Sequence, residues 1–319
     1  MNMPETADND ISWERKLLEK LALETLVEQR RRRRWGIFFK LLGFAYLTFL
    51  IVALGNWEEA AEKLGDRKKH TALVQLNGVI KASGEASAEK INEALQAAFG
   101  DRGTQGVILR INSPGGSPVQ SGIINDEIRR LRAKYPNIPL YAVVEDICAS
   151  GGYYVAAAAD KIFVDKASIV GSIGVLMDGF GFTGTMDKLG VERRLLTAGE
   201  NKGFLDPFSP QEAKHKEHAQ ILLDDIHRQF IEVVRKGRGK RLKESPELFS
   251  GLMWTGVKSI ELGLADDLGS VEYVAREVIK AENIRDYTLR PSLTERFARQ
   301  FGTDLAEGIL NAFGLFRLR

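Results

Sequence analysis

The chain has 319 residues, 44% of them apolar, with a formal net charge of +2, which suits one medium globular domain with appendages. That near-neutral balance gives nucleic acid no electrostatic footprint, and the single cysteine, Cys148, excludes an intrachain disulfide. His70, His215, His218 and His227 form no metal-ligand pattern with it; His215 and His218, three apart, read as a solvated helix face.

Taken in order, Ile11 to Arg34 reads as a polar amphipathic helix with apolar positions at Ile11, Trp13, Leu17, Leu18, Leu21 and Leu26, ending in the arginine run Arg30 to Arg34. Trp35 to Trp57 follows as an apolar stretch of about 34 Å if helical, enough for a bilayer core. Trp35 and Trp57 suit the two interfaces, and Lys40 is close enough to the arginine end to snorkel. A cleaved signal peptide fits less well, because its charged leader is much shorter and no small-x-small site follows Leu54. The positive-inside rule then puts residues 1–34 in the cytoplasm and everything past Trp57 across the membrane. In a bacterial cell this predicts a single-pass inner-membrane protein with a periplasmic catalytic domain.

After a charged linker, 58–70, strands and helices alternate over 71–285. Strands are predicted at Thr71–Ile80, Gly106–Asn112, Leu140–Cys148 and Lys161–Asp165. Helices are predicted at Ser87–Phe99, Gly122–Tyr135, Tyr153–Ala159 and Pro210–Val234, with a shorter helix, a turn and another helix over Ser259–Lys280. Strands separated by helices of this length imply an α/β fold with a mainly parallel sheet. The basic run Lys236–Lys243 reads as a solvated loop, and the tail, 286–319, places Phe297, Phe301, Leu305, Ile309, Phe313 and Phe316 about one turn apart, as an amphipathic helix does.

Two glycine turns carry the chemistry. Asn112-Ser113-Pro114-Gly115-Gly116 follows one buried strand, and Ala149-Ser150-Gly151-Gly152 follows another and opens a helix. In a parallel sheet both turns lie at the carboxyl ends of their strands, where sites form. A serine hydroxyl beside N–H groups from two such turns is what acyl transfer needs: the hydroxyl attacks a carbonyl and the donors hold the developing oxyanion. Cys148 reads as a packed thiol on its strand, not as the nucleophile.

INSPGGS (Ile111–Ser117), CASGGYYVAAAADKI (Cys148–Ile162), VGSIGV (Val170–Val175) and ENKGFLDP (Glu200–Pro207) occur in that order. Together they resemble the protease IV, or signal peptide peptidase A, family, in its short single-unit form, over roughly Thr71 to Ile279. The resemblance implies a crotonase-like fold, shared with the Clp proteolytic subunit, here behind a transmembrane helix. It implies Ser150 as nucleophile, Lys202 as general base, Ser172 as the hydroxyl orienting that amine, and Gly116 and Gly151 as oxyanion donors. It also implies a ring-shaped homo-oligomer in which the lysine of one copy serves the serine of the next, acting on hydrophobic peptides such as remnant signal peptides without metal or organic cofactor. A lysine acts as base only after losing its proton, which a dry, apolar interface favours.

Two other functions suit parts of the pattern. A crotonase-type enzyme would use the glycine turns on an acyl-CoA thioester, though a periplasmic domain meets no CoA pool. A catalytically idle membrane scaffold would keep the fold alone, and the presence of both Ser150 and Lys202 speaks against it.

Overall fold

The structure, a computed structural model, describes residues 30–50 and 68–289. The chain divides into two units, Met1–Asp66 and Arg67–Arg319. In the first unit, residues 30–50 are helical and exposed almost throughout. Trp35 stacks on Phe39 with ring centroids 5.6 Å apart, and Phe38 meets Trp35 edge-on at 5.7 Å. Among the described residues no helix is long and apolar enough to cross a membrane. The expected span of 35–57 runs on into residues 51–57, which lie outside the described residues, as do 1–29, the linker through residue 67 and the tail from residue 290.

The second unit is built around an eight-stranded sheet of mixed α/β architecture. Its first half alternates β1 (His70–Asn77), α1 (Ala88–Gly100), β2 (Thr104–Ser113), α2 (Pro118–Lys134), β3 (Leu140–Ala149), α3 (Gly151–Ala156) and β4 (Lys161–Val164). There follow β5 (Ile169–Gly171), α4 (Thr183–Leu189), α5 (Ala213–Arg238), β6 (Met253–Thr255), α6 (Gly256–Glu261), β7 (Asp267–Leu268), α7 (Val271–Tyr273, continued as a π-helical turn over Val274–Ile279) and β8 (Ile284–Asp286). The main path runs β6-β5-β3-β2-β1-β8, and every pairing is parallel except β5 with β6.

Strand β3 forks. Its first half, Tyr141–Val143, pairs with β4, and its last rungs, Ile147–Ala149, pair with β5. The split opens the sheet at its carboxyl edge and carries β5 to the flank of the serine turn. One face of the sheet packs on α1, α2, α3 and α5 through a core that includes Leu76, Phe99, Leu109, Ile128, Tyr153 and Val234, all essentially inaccessible to water. The other face is covered by the α7 region through Leu73, Ile108, Val143, Phe163 and Val274. Burial on both faces explains why β2 and β3 read as continuous apolar runs rather than alternating ones.

Helix starts follow capping chemistry. Ser87 caps α1 by accepting from the Lys90 N–H, and Ser117 caps α2 by accepting from Gln120, with Pro118 in the first turn, where its missing N–H costs nothing. Helix α2 therefore begins four residues before the expected Gly122, because Ser117-Pro118 belongs to the helix start and not to the turn. The basic run 236–243 is not simply a solvated loop. Arg238 closes α5 with only 1% of its surface exposed, donating from Nε to the Gly263 carbonyl and from Nη1 to Asp266 at 2.8 Å.

Candidate active site

Ser150 sits at the junction of β3 and α3 with φ 52° and ψ −122°, a conformation that side-chain-bearing residues rarely adopt. Two backbone bonds hold it there: its N–H donates to the Gly171 carbonyl at 2.8 Å, and its carbonyl accepts from Tyr154 at 3.0 Å. The serine makes no capping bond to its own helix, and the residue is half-buried.

The proline–glycine turn closes against this elbow. Ser113 donates from its hydroxyl to the Gly78 carbonyl and accepts from the Gly115 N–H. The Ile80 N–H donates to the Gly115 carbonyl, and the Ser117 N–H donates to the Ile80 carbonyl, so Gly116 is bridged to the end of β1. A Cβ at Gly115 would lie 2.7 Å from both the Ser150 Cβ and the Gly151 nitrogen, and one at Gly116 would run into the Ile80 carbonyl oxygen. A Cβ on Gly151 would lie 2.5 Å from the Ser121 hydroxyl and 3.2 Å from the Gly116 nitrogen. Glycine at these positions is thus a condition of close approach, reinforced by φ 102° and 147° at Gly115 and Gly116. The Gly151 N–H belongs to the first turn of α3, where no intrahelical acceptor exists. The Gly115–Gly116 turn packs directly against this start of α3.

Ser172 follows from the same architecture. The last β3–β5 rung pairs Ala149 with Gly171, so Ser150 and Ser172 leave the sheet side by side, each with positive φ. Ser172 is fixed by its N–H donating to Leu252 and its carbonyl accepting from Gly174. Four of the five expected site residues therefore meet at one edge of the sheet. Among the described residues no side-chain hydrogen bond ties Lys202 to any of the four. It lies exposed in a turn, its N–H donating to the Gly199 carbonyl, and among the described residues no hydrogen bond or ion pair links it to Ser150. The stretch carrying it, residues 174–212, stands away from the core as an arm with exposed apolar side chains, Leu176, Phe180, Leu189 and Leu196 among them.

Cys148, two residues upstream of the serine, is fully enclosed, and burial pushes its thiol far above the ordinary range, so it is an inert packing group. One contact escaped sequence reasoning. His227 on α5 bonds through Nε2 to the Ile173 carbonyl at 3.1 Å, and since a carbonyl only accepts, Nε2 carries the proton. The histidine thus pins the residue next to Ser172. No sequence signal marked it, because it lies 54 positions away on a long helix.

A serine on a strained strand-to-helix elbow, packed against a glycine turn, is an arrangement compatible with acyl transfer. The model of Peptidase family S49 matches residues 132–285. The protein named signal peptide peptidase SppA in Enterococcus faecium is 33% identical over 73% of this chain and 69% of its own length. A probable protease SohB of Haemophilus influenzae is 31% identical over 75% of this chain and 67% of its own. The chain belongs to peptidase family S49. It is also 45% identical, over 62% of its length, to a Brucella melitensis protein named Na(+)/H(+) antiporter NhaA, of which it spans only 28%. A solved 1510-N membrane-bound stomatin-specific protease, with a substrate peptide, aligns over 72% of this chain at 15% identity with a TM-score of 0.44.

Proposed function

We propose that this chain is a membrane-anchored serine endopeptidase with a crotonase-like fold, working through Ser150 and Lys202. The observation that carries the reading is the elbow itself: a strained serine with the Gly116 and Gly151 nitrogens beside it. In the proposed reaction the Ser150 Oγ attacks the scissile carbonyl while its proton passes to the neutral amine of Lys202. The carbonyl oxygen, now an oxyanion, accepts hydrogen bonds from the two glycine N–H groups. Collapse breaks the C–N bond, the leaving amine takes the proton back from the lysine, and water then hydrolyses the Ser150 ester by the same route. In this scheme Ser172 accepts a hydrogen bond from the lysine amine and orients it.

The exposed place of Lys202 on an apolar arm fits a site shared between copies, the lysine of one reaching the serine of the next in a ring. Closing such an interface would also dry the amine, which a lysine base requires. Val79, Val119, Ile123, Leu252 and Met253, exposed around the two turns and Ser172, suit apolar peptides. Remnant signal peptides are such substrates, met by a domain held outside the inner membrane by the 35–57 segment. The scheme calls for no metal or organic cofactor.

The test uses the full chain in detergent micelles with a fluorogenic apolar peptide. Ser150→Ala and Lys202→Ala should each lower hydrolysis by at least about a thousandfold, the scale seen when one member of such a unit is removed. Activity surviving Lys202→Ala would assign the base elsewhere, and turnover of CoA thioesters in place of peptides would replace the peptidase reading.

A further inference from the structure

Helix α5 touches the two halves of the site one turn apart. Phe230 is buried and packs its ring against Tyr154 of α3, with centroids 5.1 Å apart. The Tyr154 N–H is the donor that holds the Ser150 carbonyl. Three residues before Phe230, on the same side of the helix, His227 bonds the Ile173 carbonyl through Nε2 at 3.1 Å. One element thus reaches the nucleophile elbow with one side chain and the Ser172 turn with another.

The Ser172 turn depends on such contacts. Strand β5 stops at Gly171, Ser172 takes φ 49°, and the Gly174 N–H folds back onto the Ser172 carbonyl at 2.9 Å. Ile173 buries its side chain completely, and the exposed arm begins just beyond it. Among the described residues two hydrogen bonds tie residues 172–174 to other elements: the Ser172 N–H to the Leu252 carbonyl, and His227 to Ile173. Leu252 is half exposed and leads into β6, a three-residue strand at the end of the sheet. His227 stands on a 26-residue helix fastened to the core through Phe230 and Val234, so it is the firmer of the two. Its Nε2 proton is committed to a backbone carbonyl, so that nitrogen is not free to take a proton from the serine. What it supplies is position.

Resting on the peptidase reading above, we propose that His227 is a positioning residue of the reaction: by holding the Ile173 carbonyl it sets Ser172 against Ser150, and with it the place where the lysine amine is received. Phe230 fixes the same helix against α3, so the spacing of the two serines is measured off one turn of α5. Such a contact matters because a displacement of about 1 Å at a reacting group can cost about a hundredfold in rate. Ser172 acts on the lysine and not on the bound peptide, so a fault in its placement falls on turnover and spares substrate binding.

The test measures kcat and KM separately for the full chain in micelles with the fluorogenic apolar peptide. His227→Leu, which removes the donor and keeps apolar bulk, should lower kcat by about tenfold or more and leave KM within about twofold. His227→Gln, whose amide N–H lies at a similar reach, should bring kcat back to within about threefold of wild type. In a Ser172→Ala chain the same His227→Leu exchange should cost less than about twofold, because the group it positions is gone. If His227→Leu fails to fold, His227→Asn, whose amide stops short of the carbonyl, carries the same expectations. An equal cost in both backgrounds, a glutamine variant as slow as the leucine one, or a folded donor-less variant with wild-type kcat would overturn the proposal while leaving a Ser150-dependent peptidase intact. Peptide hydrolysis indifferent to Ser150→Ala would instead remove the reading on which the proposal rests.

Discussion

A serine with φ 52° and a glycine pair with φ 102° and 147° pack so closely that a Cβ on Gly115 would lie 2.7 Å from that of Ser150. The Gly115 carbonyl is tied to the Ile80 N–H and the Ile80 carbonyl to the Ser117 N–H, while Ser150 is tied to Gly171. Strain of this kind persists only where surrounding bonds over-determine it, and here those bonds fix the serine backbone against the glycine turn. Gly116→Ala should therefore do more than remove a flexible residue. Its Cβ would overlap the Ile80 carbonyl, so both the turn and the donor must move. We expect a loss of roughly 2 kcal/mol or more in denaturant unfolding together with loss of peptide hydrolysis. A variant of wild-type stability and activity would mean that the turn is not held as described.

At the scale of elements, the buried Arg238–Asp266 pair decides how the long helix meets the rest. Arg238 ends α5, and the neighbouring Gly237 lies so close to the Ala157 carbonyl at the end of α3 that a side chain there would collide with it. Asp266 also accepts from the Ile162 N–H, and Tyr153 on α3 donates to the Leu264 carbonyl two residues before it. The pair therefore braces the helix that carries the nucleophile from behind. Burial raises the Asp266 carboxyl, but the Arg238 hydrogen bond and charge, the Ile162 N–H and Arg241 outweigh it, so the group titrates below its ordinary value of 3.8. A depressed carboxyl stabilises the fold above its unfolded value, and that contribution disappears as the pH falls through the folded one. Arg238→Met should cost about 3 kcal/mol by removing the buried partner of Asp266, which then keeps only Arg241 and the Ile162 N–H. Asp266→Asn should flatten the loss of stability below pH 4 that wild type shows in acid unfolding. An acid limb identical in the two proteins would show that the pair does not carry that dependence.

These elements also mark how far the sequence could be read. The strand–helix alternation from His70 to Val164 was legible because β1, β2 and β3 are apolar runs bounded by turn residues and by the caps Ser87 and Ser117. Strands β5 to β8 were not, since each holds only two or three residues and exists only through its partners. Arg238 looked like one more charge in a basic run, because its burial depends on carbonyls and a carboxylate 25 and 28 positions away. At the site, the two glycine turns were local signals, whereas the meeting of Ser150 with Ser172 depends on the fork in β3, which no local pattern announces. The bond from His227 to Ile173 is a tertiary fact of the same kind.

At the scale of the whole molecule, the proposed ring turns on the arm, residues 174–212. Leu196 is 97% exposed, and Leu176, Phe180 and Leu189 of the same stretch are exposed as well. If that surface joins copies, Leu196→Asp should shift the purified protein toward monomer in light scattering and lower its specific activity on dilution. An unchanged mass distribution would direct the arm to another partner. The sharing of the site across copies is tested most directly by mixing two inactive chains. Ser150→Ala keeps the lysine and Lys202→Ala keeps the serine, so co-assembly of the two in equal amounts should restore about a quarter of wild-type hydrolysis, the fraction of interfaces that pair one intact serine with one intact lysine in a head-to-tail ring. Co-assembled particles that remain as inactive as either parent would contradict a lysine supplied by the neighbouring copy.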